Sequence, residues 1–195
     1  MSQSSNPWTV PPELTNKDCR TLLDVARDSI SHGLCQGRRM PIASSAYAHV
    51  LQMLCATFVT LKIDGKLRGC IGSLEAMRPL VVDVAEHAYA AAFHDQRFLA
   101  VSMAECELLD IQISLLSRLE PMDFTSEQDL MAQLRPGIDG LILERGRHRS
   151  TFLPVVWQQL TDPRSFLEHL KIKAGLPVDD WSQVKAWCYT TRSIP

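Results

Sequence analysis

The run Leu67-Arg68-Gly69-Cys70-Ile71-Gly72 sets a thiol, a guanidinium and two glycines within six residues. Cys70 is the sharpest group for covalent or redox chemistry, because a fixed guanidinium beside a thiol favours the nucleophilic thiolate. Arg68 supplies that charge if both side chains leave the chain on one face. Its planar fork also suits a ligand carboxylate or phosphate, or a structural ion pair with Glu75, Asp95 or Glu107. Gly69 and Gly72 can turn backbone N–H groups toward an anion, or serve a bulge or tight packing. Cys70 has a plainer reading too, as a small buried filler between those glycines.

Other candidates lie further along. Asp83 and His87 stand four residues apart on one helical stripe with His94, a spacing open to a metal pair. No third ligand is evident, so no metal is assigned, and a simple hydrogen bond between the two is the alternative. His87 is a candidate base if it faces Cys70. Asp95 and Arg97 follow that helix and either pair locally or join Arg68 in binding a ligand. Lys173 sits in the last turn of its helix, where a cation complements the dipole. Pointed at a ligand, it becomes a second anion anchor or a general acid. No nucleophile-elbow pattern surrounds Ser114 or Ser117, and neither a P-loop nor a G-x-G-x-x-G turn occurs.

The elements that must position these groups follow from periodicity. Thr15 as N-cap, with Cys19, Leu22, Leu23, Ala26 and Ile30 at helical spacing, predicts a helix over residues 16 to 31 that Gly33 and Gly37 break. Residues 44 to 54 are ambiguous, with a short helix from 46 to 51. The apolar run 56 to 63, then Asp64-Gly65, then 66 to 73, predicts a hairpin, since Asp-Gly accepts the positive φ angles of a type I′ turn. With a two-residue loop, Leu61 pairs with Arg68 and Val59 with Cys70, which puts Arg68 and Cys70 on one face. A three-residue loop shifts that pairing.

Pro79 opens a second helix to about Phe93, with Val81, Val84, Ala85, Ala88, Ala91 and Ala92 as its buried stripe. Residues 109 to 115 alternate as a half-buried strand, and Ser126 starts a short helix to about 134. Strands are expected at 141 to 144 and 151 to 153, joined by Arg145-Gly146-Arg147-His148-Arg149. Asp162-Pro163 begins a helix that Gly175 closes, and 184 to 191 reads as an edge strand.

A chain of 195 residues with 46% hydrophobic and 22% charged residues has the composition of a globular domain. Residues 1 to 13, polar with three prolines, read as a flexible tail, and 14 to 195 as a single domain in which two lobes can be accommodated. The net charge of −2 argues against nucleic acid or an anionic membrane as a partner, and the basic tip at 145 to 149 reads as a solvated turn. No run is long and apolar enough to span a bilayer. Six cysteines without C-x-x-C or zinc-finger spacing, and an N-terminus unlike a signal peptide, suggest reduced thiols in a cytoplasm.

The segments Phe58-Val59-Thr60-Leu61, Asp64-Gly65 and Leu67-Arg68-Gly69-Cys70-Ile71-Gly72 resemble the signature of the AMMECR family. Ala91-Ala92, Asp95-Gln96-Arg97-Phe98, Ile113-Ser114-Leu115-Leu116, Gly140, Phe152-Leu153-Pro154 and Lys173-Ala174-Gly175-Leu176 fit in order. The resemblance covers about residues 55 to 177; Ala174 and His94 depart from residues that some relatives carry. It implies an α+β fold of two unequal lobes, with mixed or antiparallel sheet and flanking helices around a cleft bordered by the hexapeptide. Arg68, Asp95, Arg97 and Lys173 are the side chains to line that cleft for a small anionic or peptide ligand. It also implies association with Memo-type and radical-SAM proteins, the AmmeMemoRadiSam system, of which this chain resembles the protein A component. No reaction or cofactor follows from it, so a non-catalytic regulatory or scaffolding module stands beside an enzyme or enzyme accessory.

Overall fold

The structure, a computed structural model, describes residues 14–178 and 180–195; the proline-bearing segment expected to be a tail lies outside them. Helix α1 (Asn16–Gln36) opens with a capping box between Thr15 and Asp18 and closes on Gly37 at φ 65°. It outruns the expected end because Gly33 does not break it. Gly33 lies inside the helix, where the Tyr89 and Phe93 rings occupy the space a side chain would need. A 3-10 turn at Ser44–Ala46 and the one-turn helix α2 (His49–Gln52) resolve the ambiguous stretch.

Strands β1 (Thr57–Ile63) and β2 (Lys66–Gly72) form the hairpin, with Asp64 and Gly65 both at positive φ as the two-residue turn requires. Helix α3 (Leu80–Phe93) follows with Pro79 at its N-cap, then the short α4 (Met103–Cys106), β3 (Asp110–Leu116) and β4 (Glu120–Met122). Helix α5 (Glu127–Gln133) is capped by Ser126. Strands β5 (Gly140–Arg145) and β6 (His148–Phe152) meet at a turn of only Gly146 and Arg147, tighter than the expected loop. A 3-10 turn at Pro154–Gln158 leads to α6 (Pro163–Ala174), capped by Asp162 and closed by Gly175 at φ 70°. Strands β7 (Lys185–Tyr189) and β8 (Thr191–Ile194) end the chain.

The fold is α+β with two antiparallel sheets, ordered β2-β1-β3-β8 and β4-β7-β5-β6. The expected edge strand at 184 to 191 is corrected. β7 lies inside the second sheet, because the short strand β4 pairs along its other side, and the chain then changes sheet at β8.

The chain divides into two compact units, one of the described residues up to Leu116 with Arg192–Pro195, the other Ser117–Thr191. In the first, Val59, Leu61, Ile111 and Ile113 bury one sheet face against Leu22, Ala26 and Ile30 of α1 and Val81, Val84 and Ala88 of α3. In the second, Leu141, Leu143 and Ala186 pack on Phe166, Leu167 and Leu170 of α6, with the Trp157 and Phe166 rings stacked at 3.8 Å.

Candidate functional site

The hexapeptide lies along β2, the edge strand of the first sheet. Its register with β1 starts as a two-residue loop dictates, Ile63 against Lys66 and Lys62 against Leu67, and then slips, so that Leu61 faces Gly69 and Thr60 faces Cys70. The expected pairs Leu61 with Arg68 and Val59 with Cys70 are therefore corrected by a β-bulge that leaves Arg68 without a cross-strand partner. The cause is steric. Gly69 turns to the helices, and a Cβ there would collide with the backbone oxygen of Ala91 in α3, so glycine alone admits this approach. Gly72 is closed in similarly by the Phe58 ring and the Thr57 carbonyl.

Freed from the ladder, Arg68 grips Glu105. Its Nε donates to Oε1 at 2.7 Å and Nη2 to Oε2 at 3.2 Å, while Nη1 and Nη2 also reach the carbonyls of Leu99 and Ala100. The Arg68 guanidinium, then the Ser102 N–H and hydroxyl, hold the Glu105 carboxyl at about 2, well below its ordinary value. Arg68 Nε, Nη1 and Nη2 thus all donate inside the protein, to two carbonyls and to a carboxylate that was not among the expected partners.

Cys70 is bracketed by Asp95 and Arg97. Its N–H donates to Asp95 Oδ2 at 2.9 Å, and Arg97 Nη2 donates to its carbonyl at 3.2 Å. Arg97 also grips the Asp95 carboxylate at 2.7 and 2.9 Å, which lowers that carboxyl to about 2 against the opposing effect of burial. The guanidinium that touches Cys70 is accordingly that of Arg97. The thiol is half-buried, with Sγ 3.3 Å from Thr60 Oγ1.

His87 is turned elsewhere. Its Nδ1 lies 3.1 Å from both Thr57 Oγ1 and Asp83 Oδ2, and its Nε2 is 3.5 Å from Arg78 Nη2. Asp83, wholly buried, also accepts from the Thr57 hydroxyl at 2.7 Å, the Thr57 N–H at 3.1 Å and Arg78 Nε at 3.1 Å. Among the described residues no three His, Cys, Asp or Glu side chains gather as a metal site needs.

A family profile described as AMMECR1 matches residues 23–194. The chain belongs to the AMMECR1 family. Among its relatives, a protein of Methanothermobacter thermautotrophicus is 36% identical over 85% of this chain and 86% of its own length. One of Methanocaldococcus jannaschii is 35% identical over 74% and 73%. The crystal structure of an uncharacterized protein from Pyrococcus horikoshii superposes with a TM-score of 0.84 at 28% identity, covering 92% of both chains.

In this AMMECR1 chain Lys173 belongs to the second unit, where its Nζ donates to the Thr151 carbonyl at 2.9 Å and lies 5.1 Å from the centre of the Phe152 ring. The last turn of α6 also carries a residue that sequence reasoning passed over. Lys171 is fully buried, donating to the carbonyls of Val178 and Asp180 above the Trp181 ring. Its place four residues after Leu167 on the buried stripe was the available signal. Glu105 was also passed over, although Ser102 three residues earlier completes a capping-box pattern. Thr60 carries no such signal, because its place opposite Cys70 depends on the bulge. Among the described residues no helix is long and apolar enough to cross a membrane.

Proposed function

We propose that this AMMECR1 chain is an enzyme, or the accessory subunit of one, whose working group is the Cys70 thiol acting on a small anionic or peptide ligand. One observation carries the reading: Asp95 and Arg97 hold both backbone polar groups of Cys70 while its thiol stays half-exposed. A filler residue needs no such bracing, whereas a reacting group gains from being held in one position. The free state of the cysteines in the described residues fits a cytoplasmic setting.

Iodoacetamide alkylation of the folded protein, read cysteine by cysteine by mass spectrometry, tests it. Cys70 is expected to react faster than the buried Cys55, and Arg97→Ala, which removes one side of the bracing, to change that rate more than Arg68→Ala does. Protection of Cys70 until the chain unfolds overturns the reading.

A second reading has its own support. Leu67, Leu99 and Met103 are 43%, 88% and 65% exposed, and each lies on or beside a segment that Arg68 ties together. Apolar groups so displayed suit a regulatory or scaffolding module with a protein partner, for which the Memo-type and radical-SAM proteins of the AmmeMemoRadiSam system are the candidates.

A further inference from the structure

The helices of the first unit pack on the sheet face of Val59, Leu61, Ile111 and Ile113. Alternation sends Thr60 and Phe58 of β1 to the opposite face, and the register fills in their neighbours. Thr60 lies between Cys70 and Gln112, forming one row across three strands, and Phe58 lies between Gly72 and Ser114, forming the next. Thr60 already contacts the thiol. No hydrogen bond is made by the Ser114 hydroxyl or the Gln112 carboxamide to the described residues, and the orphaned buried polar atom among those residues is His32 Nε2, so both groups on this face reach solvent.

We propose that this face binds an uncharged peptide segment, laid from the Cys70 thiol across Thr60 to the carboxamide of Gln112, with Ser114 and the Phe58 ring alongside. This deepens the reading of Cys70 as the working group and rests on it. The charge state of the ligand follows from what surrounds the row. Arg68 is held by Glu105 and Arg97 by Asp95, and Lys62, next along the face, stands across from Asp110. The row itself offers hydroxyls and a carboxamide, which donate and accept at once and so match an amide better than a carboxylate. Its span fits as well: two strand spacings come to about 10 Å, close to the length of about three extended residues.

Three reagents compared at Cys70 test this: iodoacetamide, iodoacetate and an N-chloroacetyl dipeptide amide, with labelling followed by mass spectrometry. The peptide reagent is expected to label Cys70 with a saturating rate, and Gln112→Ala to raise its half-saturating concentration about fivefold, the worth of one net hydrogen bond. Ser114→Ala should act in the same direction. Saturation by iodoacetate instead, or linear labelling by the peptide reagent that Gln112→Ala does not change, overturns the peptide site and leaves Cys70 reactivity standing. If Cys70 resists every reagent, the thiol reading fails on its own. The ligand site is then decided by titrating 15N-labelled protein with N-acetyl-glycyl-glycinamide, with acetate as the anionic control. Shifts of the Gln112 side-chain amide with the peptide alone support the site, and none, or equal shifts with acetate, overturn it.

Discussion

The carboxylate of Asp95 accepts the backbone N–H of Cys70 at 2.9 Å, so a residue 25 positions away in the chain fixes the strand that carries the thiol. Asp95 is 6% exposed, and no replacement without a carboxylate serves Cys70 and Arg97 together.

Asp95→Ala is therefore expected to cost about 1–3 kcal/mol, the loss from stranding a buried donor. The pH dependence has a definite sign. The folded carboxyl sits at about 2, against an ordinary 3.8, so its contribution is complete above about 4 and is lost as pH falls through about 2. Urea denaturation at pH 6 and pH 3 checks this: the wild type should lose more stability between the two than Asp95→Ala does. Equal losses would show that the ion pair does not shape acid stability.

Gly69→Ala should destabilise the first unit by about 1–3 kcal/mol or more, since the added carbon meets a helix backbone atom that cannot rotate away. The bulge makes this specific. In an unbulged hairpin Arg68, not Gly69, would oppose Leu61, and alanine at 69 would lie on the other face at little cost. Thermal denaturation of Gly69→Ala beside Gly65→Ala separates close packing from turn strain, because Gly65 has φ 74° and open space around its Cα.

Removing Asp83 should be among the costliest changes in the first unit. Asp83→Ala leaves Thr57, His87 and Arg78 without their shared acceptor, and breaking a buried charged network of this kind costs about 3–5 kcal/mol. Arg78→Ala should cost less, because its side chain is 41% exposed and water replaces part of what it loses. The double variant should fall well short of the sum of the two, as measured by chemical denaturation.

Much of the architecture was legible from local signals. Thr15, Asp162 and Gly175 act as caps, Asp64-Gly65 makes its two-residue turn, and the Val81 to Ala92 stripe is buried. Local signals failed where a distant segment decides the outcome. Gly33 reads as a helix breaker until Phe93 and Tyr89 are seen against it, and the 184 to 191 strand reads as an edge until β4 is found along its other side. The site divides in the same way. The hexapeptide and the Asp95–Arg97 pair stood out in the sequence, but the bulge that sets Thr60, not Val59, against Cys70 is fixed by the Ala91 backbone. The link from Arg68 to Glu105 spans 37 positions, and no spacing rule reaches across it.

An unpaired strand at the rim of a sheet is a template on which other chains can add, and proteins blunt such rims with charge or kinks. β2 has both, the kink at Arg68 and, two residues on, a carboxylate and a guanidinium that occupy the donor and acceptor an incoming strand would use. The bracket around Cys70 thus doubles as a guard against runaway cross-strand stacking. That guard is electrostatic, so its hold on the strand weakens as Asp95 is protonated in strong acid, whereas a guard made of bulk alone would be indifferent to pH.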